Sequence, residues 1–211
     1  MTKVDALSVG GVSVSRETFQ ALQNFEALVR RWNTAINLVS KSTLPQLWER
    51  HIADSAQIFS LCPADARVWV DLGAGGGFPG LVVAIIAQER LPNFRVTLVE
   101  SDLRKATFLR QAAKALDLAV TVRAERIEAL EPMHADVLSA RALAALPALI
   151  GYGALHLKPD GIGIFPKGAR HQEELAQARK DWAFDVDSQP SLSDGEAAIL
   201  VIRNIHRVRN D

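Results

Sequence analysis

The chain has 211 residues, with 24 lysines and arginines against 24 aspartates and glutamates and a formal net charge of zero. That length suits one α/β domain with an appendage, or one large domain, no run of about 18 apolar residues exists to span a membrane, and the neutral balance argues mildly against a broad nucleic-acid face while leaving a local patch open. The single cysteine, Cys62, excludes an internal disulfide and a multi-cysteine metal site, and Met1-Thr-Lys-Val-Asp-Ala lacks the charged start and apolar core of a signal peptide, so a cytoplasmic protein without a metal is expected.

Residues from about Ser15 to Leu61 read as helical. Phe19, Leu22, Phe25, Val29 and Trp32 recur at three- and four-residue steps and give one apolar stripe. A second helix is expected after Ser42-Thr43, with Pro45 in its first turn, running through Leu47, Trp48 and Ile52 to Ile58; Cys62-Pro63-Ala-Asp65 breaks it. From Arg67 onward, strands are expected at Val68–Asp71, Arg95–Glu100, Ala119–Arg123, Asp136–Ala140 and Gly161–Phe165. Helices fall near Gly80–Arg90, Leu103–Leu116, Ile127–Leu130 and Leu146–Leu157. Such alternation implies a mostly parallel sheet with helices on both faces. A helix at Gln172–Asp181 follows, then Phe184–Val186 and Ala197–Ile202 around a turn at Ser193-Asp-Gly195. These two segments can pair antiparallel at the sheet's edge, and Arg203 to Arg209 read as a basic tail. The organisation is a helical extension, residues 1–65, and an α/β domain, residues 66–211.

The stretch Val68-Trp-Val-Asp71-Leu-Gly73-Ala-Gly75-Gly-Gly77-Phe78-Pro79-Gly80 carries the chemistry. A β-branched run ends in a carboxylate, and glycines then leave the backbone bare where a ligand must come close. Gly75 to Gly80 formally match G-x-G-x-x-G, a pattern that dinucleotide sites share. Glu100 ends the next strand, where an acid can accept from both hydroxyls of a ribose. Asp71 discriminates between cofactors. Beside a pyrophosphate its carboxylate would repel, whereas S-adenosylmethionine carries an α-ammonium and a sulfonium. S-adenosylmethionine is therefore favoured over NAD. Ala124 and Glu125, just past the next strand, could meet an adenine; alternatively Glu125 is an ordinary first-turn acid on a helix dipole.

Asp71-Leu-Gly-Ala-Gly-Gly-Gly-Phe-Pro-Gly80, Val99-Glu100-Ser-Asp-Leu-Arg-Lys105 and Ser139-Ala-Arg141-Ala resemble the class I methyltransferases. Among them they resemble most closely the ribosomal small-subunit methyltransferase G family, also called glucose-inhibited division protein B. Trp32-Asn33 with Asn37-Leu38, His51-Ile-Ala-Asp54-Ser55 and Phe165-Pro-Lys167-Gly168 fit it as well. The resemblance implies a Rossmann-like fold and N7-methylation of one guanine of 16S rRNA, guanine 527 in the 530 loop. The methyl donor would be S-adenosylmethionine, and the substrate the small ribosomal subunit or its assembly intermediate. It also implies that Gly73, Phe78, Ala124, Glu125 and Arg141 contact the cofactor or its surroundings. A monomer is expected, with neither DNA nor a membrane as partner.

Guanine N7 carries a lone pair and no hydrogen, so in-line placement of reacting atoms about 3–3.5 Å apart suffices. Ser139-Ala140-Arg141 fits this better than the Asn/Asp-Pro-Pro-aromatic run of exocyclic-amine methylases, and Cys62 is not placed as a nucleophile. Arg141 is the candidate catalytic residue, able to donate to guanine O6 or to a phosphate; the plainer reading is a salt bridge to Glu100 or Glu125. Lys167, Arg104 and Lys105 are candidate RNA contacts among scattered cations that include Arg30, Arg31, Lys41, Arg50, Arg170, Arg203, Arg207 and Arg209. His51 and Asp54 read as a helical pair that fixes the extension. Trp32, Asn33 and Asn37 read as closing a helix junction. A small-molecule methyltransferase, a non-catalytic cofactor-binding module and an NAD-dependent reductase are the competing functions.

Overall fold

A computed structural model describes residues 7–208. Arg209 and the first six residues, on which the leader-peptide reading rests, lie outside the described residues. A hairpin opens the fold: β1 (Leu7–Val9) and β2 (Val12–Val14) pair antiparallel. Then comes α1 (Arg16–Trp32), capped by Ser15, whose hydroxyl accepts the Thr18 N–H at 3.1 Å. Its stripe packs as expected, with Leu22, Phe25 and Val29 wholly buried.

Helix does not continue after α1. Asn33 Oδ1 accepts the backbone N–H groups of Leu38 and Val39 at 2.8 and 2.9 Å and folds residues 33–39 back on themselves. Asn33 thus closes the junction, while Asn37 is exposed. A 3-10 turn (Leu44–Gln46) and a wide π-type turn (Trp48–Ala53) lead into α2 (Asp54–Phe59).

The remaining elements are β3 (Val68–Leu72), α3 (Gly80–Arg90), β4 (Arg95–Val99), α4 (Leu103–Ala115), β5 (Val120–Arg123), β6 (Ala135–Ala140), α5 (Leu146–His156), β7 (Leu157–Lys167), α6 (His171–Ala178), β8 (Trp182–Pro190) and β9 (Ala198–Arg207). The seven-stranded sheet has the order β5-β4-β3-β6-β7-β9-β8. β5 through β7 run parallel; β9 is antiparallel to both β7 and β8. The chain turns one way from β3 to β4 and the other way to β6, so a crevice opens at the carboxyl ends of β3 and β6.

The basic tail is corrected by the structure. Arg203 to Arg207 belong to β9, where Arg203 pairs with Asp187 and Arg207 lies 4.3 Å over the Trp182 ring. Long cationic stems covering edge apolar surface extend the strand past the residues that alternation alone marks.

One apolar core lies under α1, α2, α3 and α4 and contains Leu22, Phe25, Ile52 and Ile58 together with Trp69, Leu81 and Val82. The opposite face of the sheet packs Val70, Leu138 and Leu200 against Leu149, Ile150 and Leu175 of α5 and α6. The N-terminal helices therefore share a core with the sheet, and that packing carries residues 38–54 to the mouth of the crevice.

Candidate active site

β3 delivers Asp71 to the base of the glycine turn. One carboxylate oxygen accepts the Gly80 N–H at 3.0 Å, the first orphan donor of α3. The other accepts the Ser139 hydroxyl at 2.7 Å, and Ser139 in turn accepts the Trp69 indole N–H at 2.8 Å. Asp71 is wholly buried, and that burial pushes its carboxyl up to about 7 against the opposing pull of Ser139, Gly80 and the Arg141 charge. The acid read from the sequence as a partner for a cationic cofactor thus sits beneath the turn and holds it to β3 and β6. Gly80 is what permits this. A Cβ there would stand 2.3 Å from Leu98 Cδ2 and 2.7 Å from Asp71 Oδ2.

Glu100 braces the turn from the other side. Its oxygens accept the Gly75 N–H at 2.9 Å and the Asp102 N–H at 2.8 Å. Gly75 is left-handed (φ +52°), and a Cβ on it would meet only the Gly73 carbonyl at 3.7 Å, so its outer face is bare backbone. Ala124 and Glu125 follow β5 at the same end of the sheet. Glu125 is held by Arg123 at 2.6 Å, which draws its carboxyl below the usual range. The short 3-10 turn beyond it starts at Ile127, so Glu125 is not in a helical first turn.

A cleft of about 620 Å³ opens over the turn. Of the residues expected at the site, Gly73, Gly75, Phe78, Lys105, Arg141 and Lys167 line it; Asp71, Glu100, Ala124 and Glu125 do not. Arg141, at the end of β6, is 17% exposed and grips one helical turn of the extension. It donates to His51 Nδ1 at 2.7 Å and to the Arg50 carbonyl at 3.2 Å, stands 3.7 Å from the Asp54 carboxylate and lies 5.3 Å over the Phe78 ring. Its carboxylate partner is therefore Asp54, not Glu100 or Glu125.

His51 is pushed down to about 4 by burial first and by the charges of Arg141 and Arg50 second. It is neutral at physiological pH. With Nδ1 accepting from Arg141, the assigned tautomer carries its proton on Nε2, which donates to Thr43 Oγ1 at 2.9 Å. His51 and Asp54 do not pair with each other; both turn to Arg141.

Lys167 also departs from expectation. Its ammonium is 11% exposed and bound to Glu174 at 2.6 Å and to the Ala144 carbonyl at 3.1 Å, so it is not a free cation for a phosphate. Arg104 is exposed beside Asp102 at 3.5 Å, and Lys105 stands half-buried at the cleft edge. Sequence reasoning missed the cleft roles of Arg50, Ser191 and Ser193 and gave His51 and Asp54 a merely structural one. For Ser191 and Ser193 the local signal was the turn Ser193-Asp-Gly195; for His51 and Asp54 it was the motif His51-Ile-Ala-Asp54-Ser55.

A family model described as rRNA small subunit methyltransferase G (GidB) matches residues 18–200. A protein of Cereibacter sphaeroides named Ribosomal RNA small subunit methyltransferase G is 51% identical over 197 residues, covering 93% of this chain and 96% of that protein. A protein of the same name from Ruegeria pomeroyi is 50% identical over 197 residues, with coverages of 93% and 96%. Among solved structures, the ribosomal protein L11 methylase of Lactobacillus delbrueckii subsp. bulgaricus superimposes with a TM-score of 0.59 at 19% identity, over 74% of this chain and 79% of that one. TYW2 of M. jannaschii, solved in complex with AdoMet, gives 0.56 at 15% identity, over 83% and 80%. At such identities the likeness is one of fold.

Proposed function

Because this chain belongs to the rRNA small subunit methyltransferase G family, we propose that it transfers a methyl group from S-adenosylmethionine to N7 of a guanine in 16S rRNA, guanine 527 of the 530 loop. The glycine turn fits such a cofactor: it is bare on its cleft side and braced by Glu100. Gly73, Gly75 and Phe78 would hold the donor's amino-acid end in the cleft, and its ribose and base would extend beyond the cleft toward Glu100 and toward Ala124 with Glu125 at the neighbouring strand ends. Bound there, S-adenosylmethionine supplies a methyl on a sulfonium, which a free nitrogen lone pair can take without a general base.

The observation that carries the N7 assignment is that every carboxylate lining the cleft is already engaged. Asp54 accepts from Gln57, Ser191 and Ser193. Glu174 binds Lys167 and the Leu146 N–H. Asp194 meets Arg50 and caps the Glu196 N–H. Neutral His51 has its one free lone pair on Arg141. Among the described residues no carboxylate of the cleft stands without a partner, which suits N7, a nucleophile that loses no proton. Arg141 has five N–H donors and two are committed, which leaves donors for a guanine O6 or a phosphate in the cleft.

The helical extension, residues 1–65, walls the cleft through its residues 38–54, and the sheet domain is residues 66–211. The protein acts as a monomer in the cytoplasm, on the small subunit or its assembly intermediate, with no DNA partner. Among the described residues no helix is long and apolar enough to cross a membrane. Methyl transfer from labelled S-adenosylmethionine to small subunits, followed by nucleoside identification, tests the proposal. Label in 7-methylguanosine is the expected result. Cofactor binding without label in RNA would overturn it in favour of a small-molecule acceptor.

A further inference from the structure

We propose that the β8–β9 turn, residues 191–194, is a positioning element for Arg141, acting through Asp54. The inference rests on the reading of Arg141 as the residue that faces the substrate. Asp54 presents its two oxygens to different neighbours. Oδ1 accepts from Gln57 Nε2 at 2.6 Å, Ser193 Oγ at 2.7 Å and Ser191 Oγ at 3.2 Å. Oδ2 faces the Arg141 guanidinium at 3.7 Å. Three donors on one oxygen fix the carboxylate plane, because a quarter-turn about its terminal bond would lift an oxygen away from all three. The other oxygen is then held toward Arg141.

The turn's attachment is polar throughout. Ser191 Oγ receives the Ser193 N–H at 3.3 Å, which folds the turn on its own serine. Leu192 donates its N–H to Gln57 Oε1 at 2.9 Å, and Asp194 meets Arg50 at 3.6 Å. Leu192 itself is 72% exposed, so the turn buries no apolar anchor of its own. A connection between two antiparallel strands does not require two serines aimed at a carboxylate more than 130 residues earlier in the chain. Their placement is explained by what that carboxylate holds. Arg141 is a long, rotamer-rich side chain whose freedom must be removed before it can serve one geometry, and a misplacement of about 1 Å can cost a hundredfold in rate.

The test uses the full chain with Ser191 and Ser193 both changed to alanine, Ser193→Thr as the conservative variant and Asp187→Asn as a surface control. The first readout is independent of activity: 15N NMR of the His51 ring, assigned with His51→Gln. The groups facing that ring are Arg141, Arg50 and Thr43. Wild type should show the Nε2–H tautomer at neutral pH. The double variant should show mixed tautomers and a titration raised by about half a pH unit or more, as the guanidinium leaves Nδ1. The second readout is kinetic. kcat on small subunits should fall about tenfold or more in the double variant, S-adenosylmethionine affinity should stay within about twofold, and Ser193→Thr should keep most of the wild-type rate.

An unchanged His51 spectrum overturns the proposal, whatever the rate does. So does a changed spectrum with wild-type kcat, or a rate loss that merely follows the unfolded fraction. If wild type itself transfers no label to RNA, the functional reading fails, while the His51 spectrum still decides whether the turn positions Arg141.

Discussion

Asp71→Asn should remove a pH dependence of stability that the wild-type fold carries. The buried carboxyl is pushed from 3.8 to about 7, so between those values the unfolded chain gives up its proton and the folded chain keeps it. The unfolded state binds fewer protons there, and stability falls as pH rises through the window. At 1.36 kcal/mol per pH unit the difference reaches about 4 kcal/mol above pH 7 and vanishes below pH 4. A protonated Asp71 and an asparagine are near-isosteres: each can accept from Gly80 and donate toward Ser139. At pH 4 the two proteins should therefore be similarly stable, since protonation and the amide change the Ser139 contact in the same way. Urea titrations of both at pH 4, 6 and 8 give the difference directly, and His51, which titrates alike in each, cancels. The variant should gain on wild type by several kcal/mol across the series. A constant difference would refute the raised carboxyl, and a variant that loses ground with rising pH would show that Asp71 is held as a stabilised anion.

Gly80→Ala should destabilise by about 1–3 kcal/mol, since the new methyl meets Leu98 Cδ2 at 2.3 Å and must displace it or Asp71; calorimetric S-adenosylmethionine binding should weaken in parallel. Arg141→Ala should cut kcat by about a hundredfold or more while its urea midpoint shifts little, because Asp54 keeps three other donors. Arg141→Lys should not rescue it, as one ammonium cannot reach His51, the Arg50 carbonyl and Asp54 together. The pH–rate profile should show no inflection near 6.5 that belongs to His51, which is already neutral down to about 4; an inflection there that His51→Gln abolishes would contradict that lowered titration. Binding to small subunits should have a log–log salt slope shallower than about −3, because Lys167 is committed to Glu174 and Arg104 to Asp102.

The strands, the glycine turn and the antiparallel edge were readable because their signals are local: alternation, bare backbone and turn residues lie within a few positions of one another. The opening hairpin had such a signal too, Leu7-Ser-Val-Gly10-Gly11-Val-Ser-Val14, alternating residues around a Gly-Gly turn, but its strands of three residues each drew no element in the sequence reading. The site was legible by half. Gly73, Gly75, Phe78, Lys105 and Arg141 do line the cleft. What Arg141 touches was not legible, since His51 and Asp54 lie about 90 residues upstream, and nothing in either segment's own pattern says that they meet. Lys167 shows the converse failure: a cation at a strand end looks free until α6 brings Glu174 over it.

The charge balance of the cleft argues that orientation, rather than field, is what this site supplies. Arg141 and Arg50 are matched by Asp54 and Asp194, and His51 is neutral, so the cluster is close to uncharged, like the chain as a whole. Methylation of a neutral guanine by a cationic donor moves one positive charge without creating or destroying one. A uniform potential from net charge at the site would therefore act on reactants and transition state nearly alike and would not speed the step. Donors fixed in place can act selectively, because only groups that need no reorganisation favour the moment of transfer. That is the sense of binding Arg141 through three segments at once: β6 carries it, the helical extension receives it, and the β8–β9 turn holds the carboxylate that faces it.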